Sequence, residues 1–417
     1  MTASADVDIA IAGSGLTALT AAVVLARADP EWRIVLLADD PRVGAAPAGA
    51  AFRGGELTGA RTMALSASSR EVFTALGLWP GIAASSAAIT DIQVSERGGW
   101  GLARLGPAPG DAPFGQVIEN ADLIRLLAAA VAACPNVSRA PGIDAIPVPR
   151  PDHLEVQSGA GTLRTRLLAI ADGADSPLRA GFGVGVAARD YGNCALIATL
   201  TLAEPHRGIA YERFTRDGPM ALLPLPDRDG QPRASLVWVL PPARAAALAV
   251  ADASERLAQL QTAFGQRAGV ILGMGAPQLI PLRRALAREQ VRSRLVLVGN
   301  AAHSLHPVAG QGFNLTVRDL AALAQHLREG ARAGRALGDL GVLAGYARAR
   351  ERDQWRTLQF SEQLPALFAS RARLMAVGRN LGLTVLGLCP PLRRALADFG
   401  AGLAVPAARV IGDDARR

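Results

Sequence analysis

The chain has 417 residues and 43.2 kDa, enough for two or three domains around a large buried core. Half of the residues are hydrophobic and 19% are charged, with 44 Gly and 27 Pro, a composition that excludes a disordered or collagen-like chain. All 44 basic residues are arginine against 36 acidic ones, so no mechanism can use a lysine, and with aromatics at only 4% the net charge of +8 does not announce a nucleic-acid partner.

In chain order, Val7, Ile9 and Ile11 read as a strand, Gly13-Ser14-Gly15 as a tight turn, and Leu16 to Arg27 as a helix, followed by a second apolar strand, Ile34 to Leu37. This is a βαβ unit of dinucleotide-binding length. Gly13 permits the turn, Gly15 lets backbone approach a pyrophosphate, and Ala18 stands where a third small residue packs helix on strand. The uncharged run Ile9 to Ala26 is therefore not a membrane span, and it lacks the basic start and cleavage site of a signal peptide. Asp39 and Asp40 follow the second strand; Asp39 is the candidate for a ribose hydroxyl, and the alternative is a solvated turn before Pro41.

Ile89 to Ser95 reads as a strand of a second sheet, and Leu167 to Ala171 as an apolar strand that enters an Asp172-Gly173 turn and a Ser176-Pro177 helix start. From Val186 to Val270 short β-rich runs alternate with turns. Leu295 to Val298 is another buried strand, followed by a glycine-rich loop and a helix from about Gly310 to Arg328 whose first amides would face an anion or an electron-rich ring edge. After Leu343 the chain reads as helices carrying Arg348, Arg350, Arg352, Arg356, Arg371, Arg373 and Arg379. They would form either a basic, apolar surface for anionic lipid or a solvated face with a subunit contact, which leaves a homo-oligomer open. Cys134, Cys194 and Cys389 are too far apart for a disulfide framework or zinc knuckle and point to a reducing compartment, and His303 and His306 have no metal-ligand partners at suitable spacing, so no metal is expected.

Three segments in this order, Gly13-Ser-Gly15-Leu-Thr-Ala18, Asp172-Gly-Ala-Asp-Ser176-Pro-Leu-Arg179, and Gly299-Asn300-Ala-Ala-His303-Ser-Leu-His306-Pro307-Val-Ala-Gly310-Gln311-Gly312-Phe-Asn314, resemble the marks of the flavoprotein aromatic hydroxylases. Within that group the chain is similar to the ubiquinone-biosynthesis hydroxylases, through Arg61-Thr-Met-Ala-Leu65, Gln116-Val-Ile-Glu119, Tyr211 to Pro224, Arg318-Asp319 and Val377 to Leu383. Asn300, where most of the wider group has Asp, is a mark of the methoxyphenol branch. Ala38, where the group usually has Glu, is a departure that puts the adenosine ribose contact in doubt.

The resemblance implies an α/β fold: a Rossmann-like, para-hydroxybenzoate hydroxylase-like FAD-binding domain (1–70, 100–185 and 278–342), a β-sheet substrate domain (71–99 and 186–277) and C-terminal helices (343–417). It implies that Gly13, Ser14, Gly15, Leu16, Thr17 and Arg61 hold the FAD pyrophosphate. Asp172 and Gly173 would serve the FAD and the approach of NAD(P)H, with Arg179 orienting the Asp172 carboxylate. Asn300, Gly310, Gln311, Gly312 and Asn314 would serve the ribityl chain and flavin ring; His306 and Pro307 are the candidate catalytic residues, with a structural role in the loop as the alternative for His306. The implied reaction uses NAD(P)H and O2 to hydroxylate a polyprenylated phenol, in a cytoplasmic protein that docks on the inner-membrane surface or on other ubiquinone-biosynthesis enzymes. Hydroxylation of another aromatic, or a non-catalytic flavoprotein scaffold, are the alternatives.

Overall fold

A computed structural model of the chain describes residues 5–38, 61–107, 112–305 and 310–369, with the isolated positions 382, 384 and 389. The N-terminal unit is β1 (Ala5–Ala12), α1 (Leu16–Ala28) and β2 (Ile34–Leu37), with Ile9 opposite Ile34 and Ala12 opposite Leu37 in a parallel pair. Ile9, Ala10 and Ile11 are all fully buried because β1 is covered on both faces, so its apolar run does not alternate. Then come β3 (Thr62–Ser66), α2 (Ala67–Ala75), α3 (Trp79–Ala84), β4 (Ser86–Ile89), β5 (Asp91–Glu96), β6 (Leu102–Leu105), β7 (Gly115–Glu119), α4 (Asn120–Ala132) and β8 (Val137–Ala140). The middle of the chain holds β9 (Val148–Pro149), β10 (Leu154–Ser158), β11 (Gly161–Ile170), α5 (Pro177–Gly181), β12 (Val186–Leu202), β13 (Ile209–Phe214), β14 (Pro219–Arg228) and β15 (Gln231–Leu240). The remainder is α6 (Pro242–Val250), α7 (Ala253–Phe264), β16 (Ile271–Met274), β17 (Gln278–Ala287), β18 (Val291–Arg292), β19 (Leu295–Leu297), β20 (His303–Ser304), α8 (Gln311–Arg332) and α9 (Leu340–Ala369).

The first sheet runs β18-β19-β11-β1-β2-β8, with β10 and β9 added antiparallel on β11. One face is covered by α1, α4, α8 and α9, whose Leu19, Leu127, Leu320 and Leu343 join Ile9 and Ile11 in one core. The other face, with Ala10, Val35, Leu168 and Leu297, packs on Leu154, Val156 and Leu178. The second sheet runs β20-β17-β12-β15-β14-β13-β5-β6, with β16 on β12. Its strands have the period of two expected of a sheet with different surroundings on its two faces. Leu196, Leu222, Leu236 and Trp238 face α6 and α7, where Tyr211 meets Phe264 edge to face at 5.7 Å between ring centroids. The alternate residues look toward a small antiparallel sheet, β3-β7-β4, on which Ala210, Leu223, Leu225 and Ile92 pack against Ala64, Val117 and Ile89.

The domain boundaries differ from the sequence-based ones. Residues 71–84 belong with the first core, because Val72, Phe73, Leu76 and Ile82 of α2 and α3 are buried in it. β6 and β17 belong to the second sheet, where they pair with β5 and β12. Residue 343 is not a boundary either: Leu343 and Tyr346 of α9 fill the first core. Arg350, expected on a basic surface, is only 5% exposed. In each case the partner is remote in sequence, and local periodicity carries no record of it. Among the described residues no helix is long and apolar enough to cross a membrane.

Candidate active site

Three turns converge at the C-terminal ends of β1, β11 and β19. Gly13 has φ +134°, and a Cβ there would lie 2.5 Å from the Ala171 carbonyl oxygen, so the position admits only glycine. Its N–H donates to the Leu37 carbonyl at 2.9 Å, while the Ala171 N–H donates to that of Ala12 at 2.8 Å, which clamps the first turn between β2 and β11. Gly299, at φ +61°, meets α1: a Cβ would stand 2.6 Å from Thr17 Oγ1 and Cγ2. The Gly13 and Asp172 segments therefore pack backbone on backbone, and the Gly299 turn packs on the Thr17 side chain.

Around this junction the chain leaves room. Apart from the adjoining backbone, no atom of the described residues lies within 4 Å of where a Cβ would stand at Gly15, Gly173 or Gly312. Gly15 caps α1 without a side-chain acceptor, so the amides of the first turn, including Leu16 and Thr17, lack the internal partners that later turns have. Ser14, Leu16 and Thr17 are half-buried. The second such helix start is α8, where Gly310 takes the left-handed conformation (φ +60°, ψ +24°).

Two residues expected from the sequence to hold a cofactor carry buried polar atoms without a partner. Arg61, just before β3, has a buried Nε with no hydrogen-bond partner, and Asp172 has a buried Oδ1 in the same state. Asp172 Oδ2 accepts from the Leu178 N–H at 3.4 Å, and burial pushes the carboxyl above its usual value despite help from Ser176, Leu178 and Arg179. Arg179 does not orient this carboxylate by a hydrogen bond: its Nη1 donates to the Ala301 carbonyl at 3.0 Å, tying the Asp-Gly segment to the Gly299 turn instead. Asn300 is exposed on that turn.

Asn314 is a further correction, because its side chain is fully occupied by protein. Oδ1 accepts from the Ser66 N–H at 2.9 Å and Ser69 Oγ at 2.6 Å, while Nδ2 donates to the Ala64 and Gly310 carbonyls at 2.8 and 2.9 Å. An amide has two donors and two principal acceptor directions, so nothing is left for a cofactor; Asn314 positions Gly310 and β3. Asp39, His306 and Pro307 lie outside the described residues. Gln311, by contrast, is buried in the first turn of α8.

Sequence reasoning left without a role a buried chain of charges behind the Gly299 loop. His303 Nε2 is hydrogen-bonded to Asp319 Oδ2, Arg350 pairs with Asp319 and Asp353, and Arg318 Nε donates to Asp353 Oδ2 at 2.8 Å. The available signal was Arg318-Asp319 in a helix otherwise apolar on that side. A separate concavity of about 310 Å³ near Thr90, Arg207 and Asp227 does not adjoin these residues, and both ring nitrogens of its His206 are bonded to backbone.

A phosphate needs amides and a fork of cationic donors; a ribityl or ribose hydroxyl needs an unpaired acceptor. The uncapped α1 start with Arg61, and Asp172 Oδ1, supply both beside open glycines, so the residues fit FAD. The α/β core with these turns, set beside a second sheet, is that of an FAD-dependent aromatic-ring monooxygenase. Residues 148–361 match the family described as FAD binding domain. The chain is 32% identical over 404 residues to ubiquinone hydroxylase UbiL of Rhodospirillum rubrum, covering 94% of this chain and 90% of that protein. It is also 32% identical over 349 residues to 3-demethoxyubiquinol 3-hydroxylase of Escherichia coli, covering 82% and 87%. In fold it is similar to p-nitrophenol 4-monooxygenase PnpA of Pseudomonas putida DLL-E4, with TM-score 0.76 at 18% identity over 95% of this chain and 98% of that one. PqsL of Pseudomonas aeruginosa gives TM-score 0.74 at 22% identity, covering 91% and 99%. The chain belongs to the ubiquinone-biosynthesis FAD hydroxylase family.

Proposed function

We propose that the protein uses NAD(P)H and O2 to hydroxylate a polyprenylated phenol or methoxyphenol on the path to ubiquinone. The observation that carries this is similarity to a ubiquinone hydroxylase along 94% of the chain, with the motif glycines of all three segments meeting at one place. In the balanced reaction one oxygen atom of O2 becomes the new ring hydroxyl, the other leaves as water, NAD(P)H supplies the hydride and becomes NAD(P)+, and solvent supplies one proton. Bound FAD supplies the transfer of that hydride's electrons to oxygen.

The chain's own part is to bind, orient and exclude water. The first-turn amides at Leu16 and Thr17, with Arg61, hold the pyrophosphate; Asp172 Oδ1 accepts from a sugar hydroxyl; Asn300 offers its amide to the ribityl region. The Gly310-Gln311-Gly312 start of α8 sets its positive end toward the electron-rich edge of the ring, an electrostatic role that needs no titrating side chain. No second G-x-G-x-x-G unit is visible for NAD(P)H, so the nicotinamide would approach the same site transiently. Asp172 and Gly173 stand at that approach.

The test is the visible spectrum of the purified protein, followed by NAD(P)H, air and a short-chain prenylated methoxyphenol. Flavin bands that bleach and return while hydroxylated phenol accumulates support the proposal. FAD that is bound but never yields product overturns it in favour of a non-catalytic scaffold.

A further inference from the structure

We propose that Glu212 receives the phenolic proton of the substrate. This rests on the reading of the substrate as a phenol, and its support comes from the register of the second sheet. On β13 Ala210, Glu212 and Phe214 point away from α6 and α7, because Tyr211 between them packs on Phe264. Ala210 lies in the row Ala210-Leu223-Ser235, which meets the small sheet: Thr62 Oγ1 donates to Ser235 Oγ at 2.8 Å, one residue after Arg61. Glu212 lies one row further along the same face, between Val94 on β5 and Ala221 on β14.

One row back is the contact of Ala210 and Leu223 with Ala64, whose Cβ lies 3.4 Å from where a Cβ of Gly310 would stand. The Glu212 row itself continues through Ala221 to Val237 and Ile197, which pack with Val239 and Leu282. Val94, Glu212 and Ala221 belong to neither and are all half-buried. Glu212 therefore stands half-buried on the face of the sheet that, one row back, meets Ala64 beside the start of α8.

Its carboxylate accepts no hydrogen bond and forms no ion pair among the described residues, although the chain has 44 arginines. The charged residues on β13 and its two neighbours are Arg213, next in the chain and on the opposite face, Asp91 and Glu96 on β5, and Asp227 and Arg228 on β14, and none of them contributes to its titration. Burial alone pushes the carboxyl to about 8. A carboxyl so raised lies much closer in proton affinity to a phenol, near 10 for tyrosine, than an ordinary glutamate near 4.3. In the step, the phenol O–H breaks, its electron pair stays on the phenol oxygen, and the proton joins a Glu212 carboxylate oxygen. The ring gains electron density for attack on oxygen, and the proton is later released to solvent.

The experiment compares FAD-loaded wild type, E212Q and E212D by ultraviolet difference spectra of a bound short-chain prenylated methoxyphenol, and by product formation, from about pH 6 to about 10. Wild type is expected to show bound phenolate below the pH at which the free phenol ionises, with product formation rising through about 8. E212Q should keep the flavin spectrum, lose the phenolate signal and fall by about 100-fold or more in turnover, while E212D keeps a weakened pH-dependent limb. If E212Q matches an active wild type in both readouts, or loses FAD itself, the proposal fails and the substrate reading stands. A wild type that neither binds nor hydroxylates the phenol overturns both.

Discussion

His303 Nε2 and Asp319 Oδ2 lie 2.6 Å apart with both residues more than nine-tenths buried, and Arg350 Nε holds the other oxygen of the same carboxylate at 2.6 Å. The pair ties the loop after β19 to two long helices. Burial would raise Asp319, but the hydrogen bond from His303 and the charge of Arg350 outweigh it and hold the carboxyl below its usual value.

Asp319→Asn leaves Arg350 without that charge, and unfolding free energy should fall by about 3–5 kcal/mol in urea titration. Because the folded carboxyl titrates lower than the unfolded one, its stabilisation is complete above about pH 4 and is lost as pH falls through the folded value. The gap between wild type and D319N should thus stay constant near neutrality and close in acid; a gap that widens in acid would contradict the assignment.

Gly13→Ala and Gly15→Ala should separate fold from cofactor. At Gly13 the new methyl meets the Ala171 carbonyl at φ +134°, so both thermal stability and FAD content should drop. At Gly15 φ is −85° and the space is open, so G15A should melt like wild type while retaining less FAD on gel filtration.

Arg61→Met removes a guanidinium whose buried Nε has no partner among the described residues. Thermal stability of the FAD-free protein should hold or rise, whereas FAD affinity should weaken by about 10- to 100-fold, the worth of charge-assisted hydrogen bonds. Equilibrium dialysis against FAD decides it, and R61K should not rescue, since a point charge does not replace a fork.

Asn314→Ala strips four hydrogen bonds and leaves the Ser66 N–H and the Ala64 and Gly310 carbonyls without those partners. Stability should fall by about 2–4 kcal/mol, from lost packing and unsatisfied buried groups. Flavin binding should fail only to the extent that α8's start loses its place, so FAD added in excess should restore the wild-type spectrum.

How far the sequence could be read depended on whether the information was local. Gly13, Gly15 and Ala18 on a strand-turn-helix, the Asp172-Gly173 turn, and the glycine-rich loop before α8 are set by backbone sterics within a few residues, so they were legible. Arg179 and Asn314 were misread because a motif records that a polar side chain is needed, not which atom it meets. Arg179 turned to Ala301 and Asn314 to Ser66, Ser69, Ala64 and Gly310, partners between 4 and more than 240 residues away.

The sequence by itself determined the class of fold, the βαβ start, the order of the three segments and the family, because hydrophobic period and glycine placement are written along the chain. Tertiary structure alone decided that β17 joins the second sheet, that α9 closes the first core, that His303 and Arg350 share Asp319, and that Glu212 is half-buried with no ion pair among the described residues. Each depends on which remote surface is brought into contact, a consequence of burying both sheets at once.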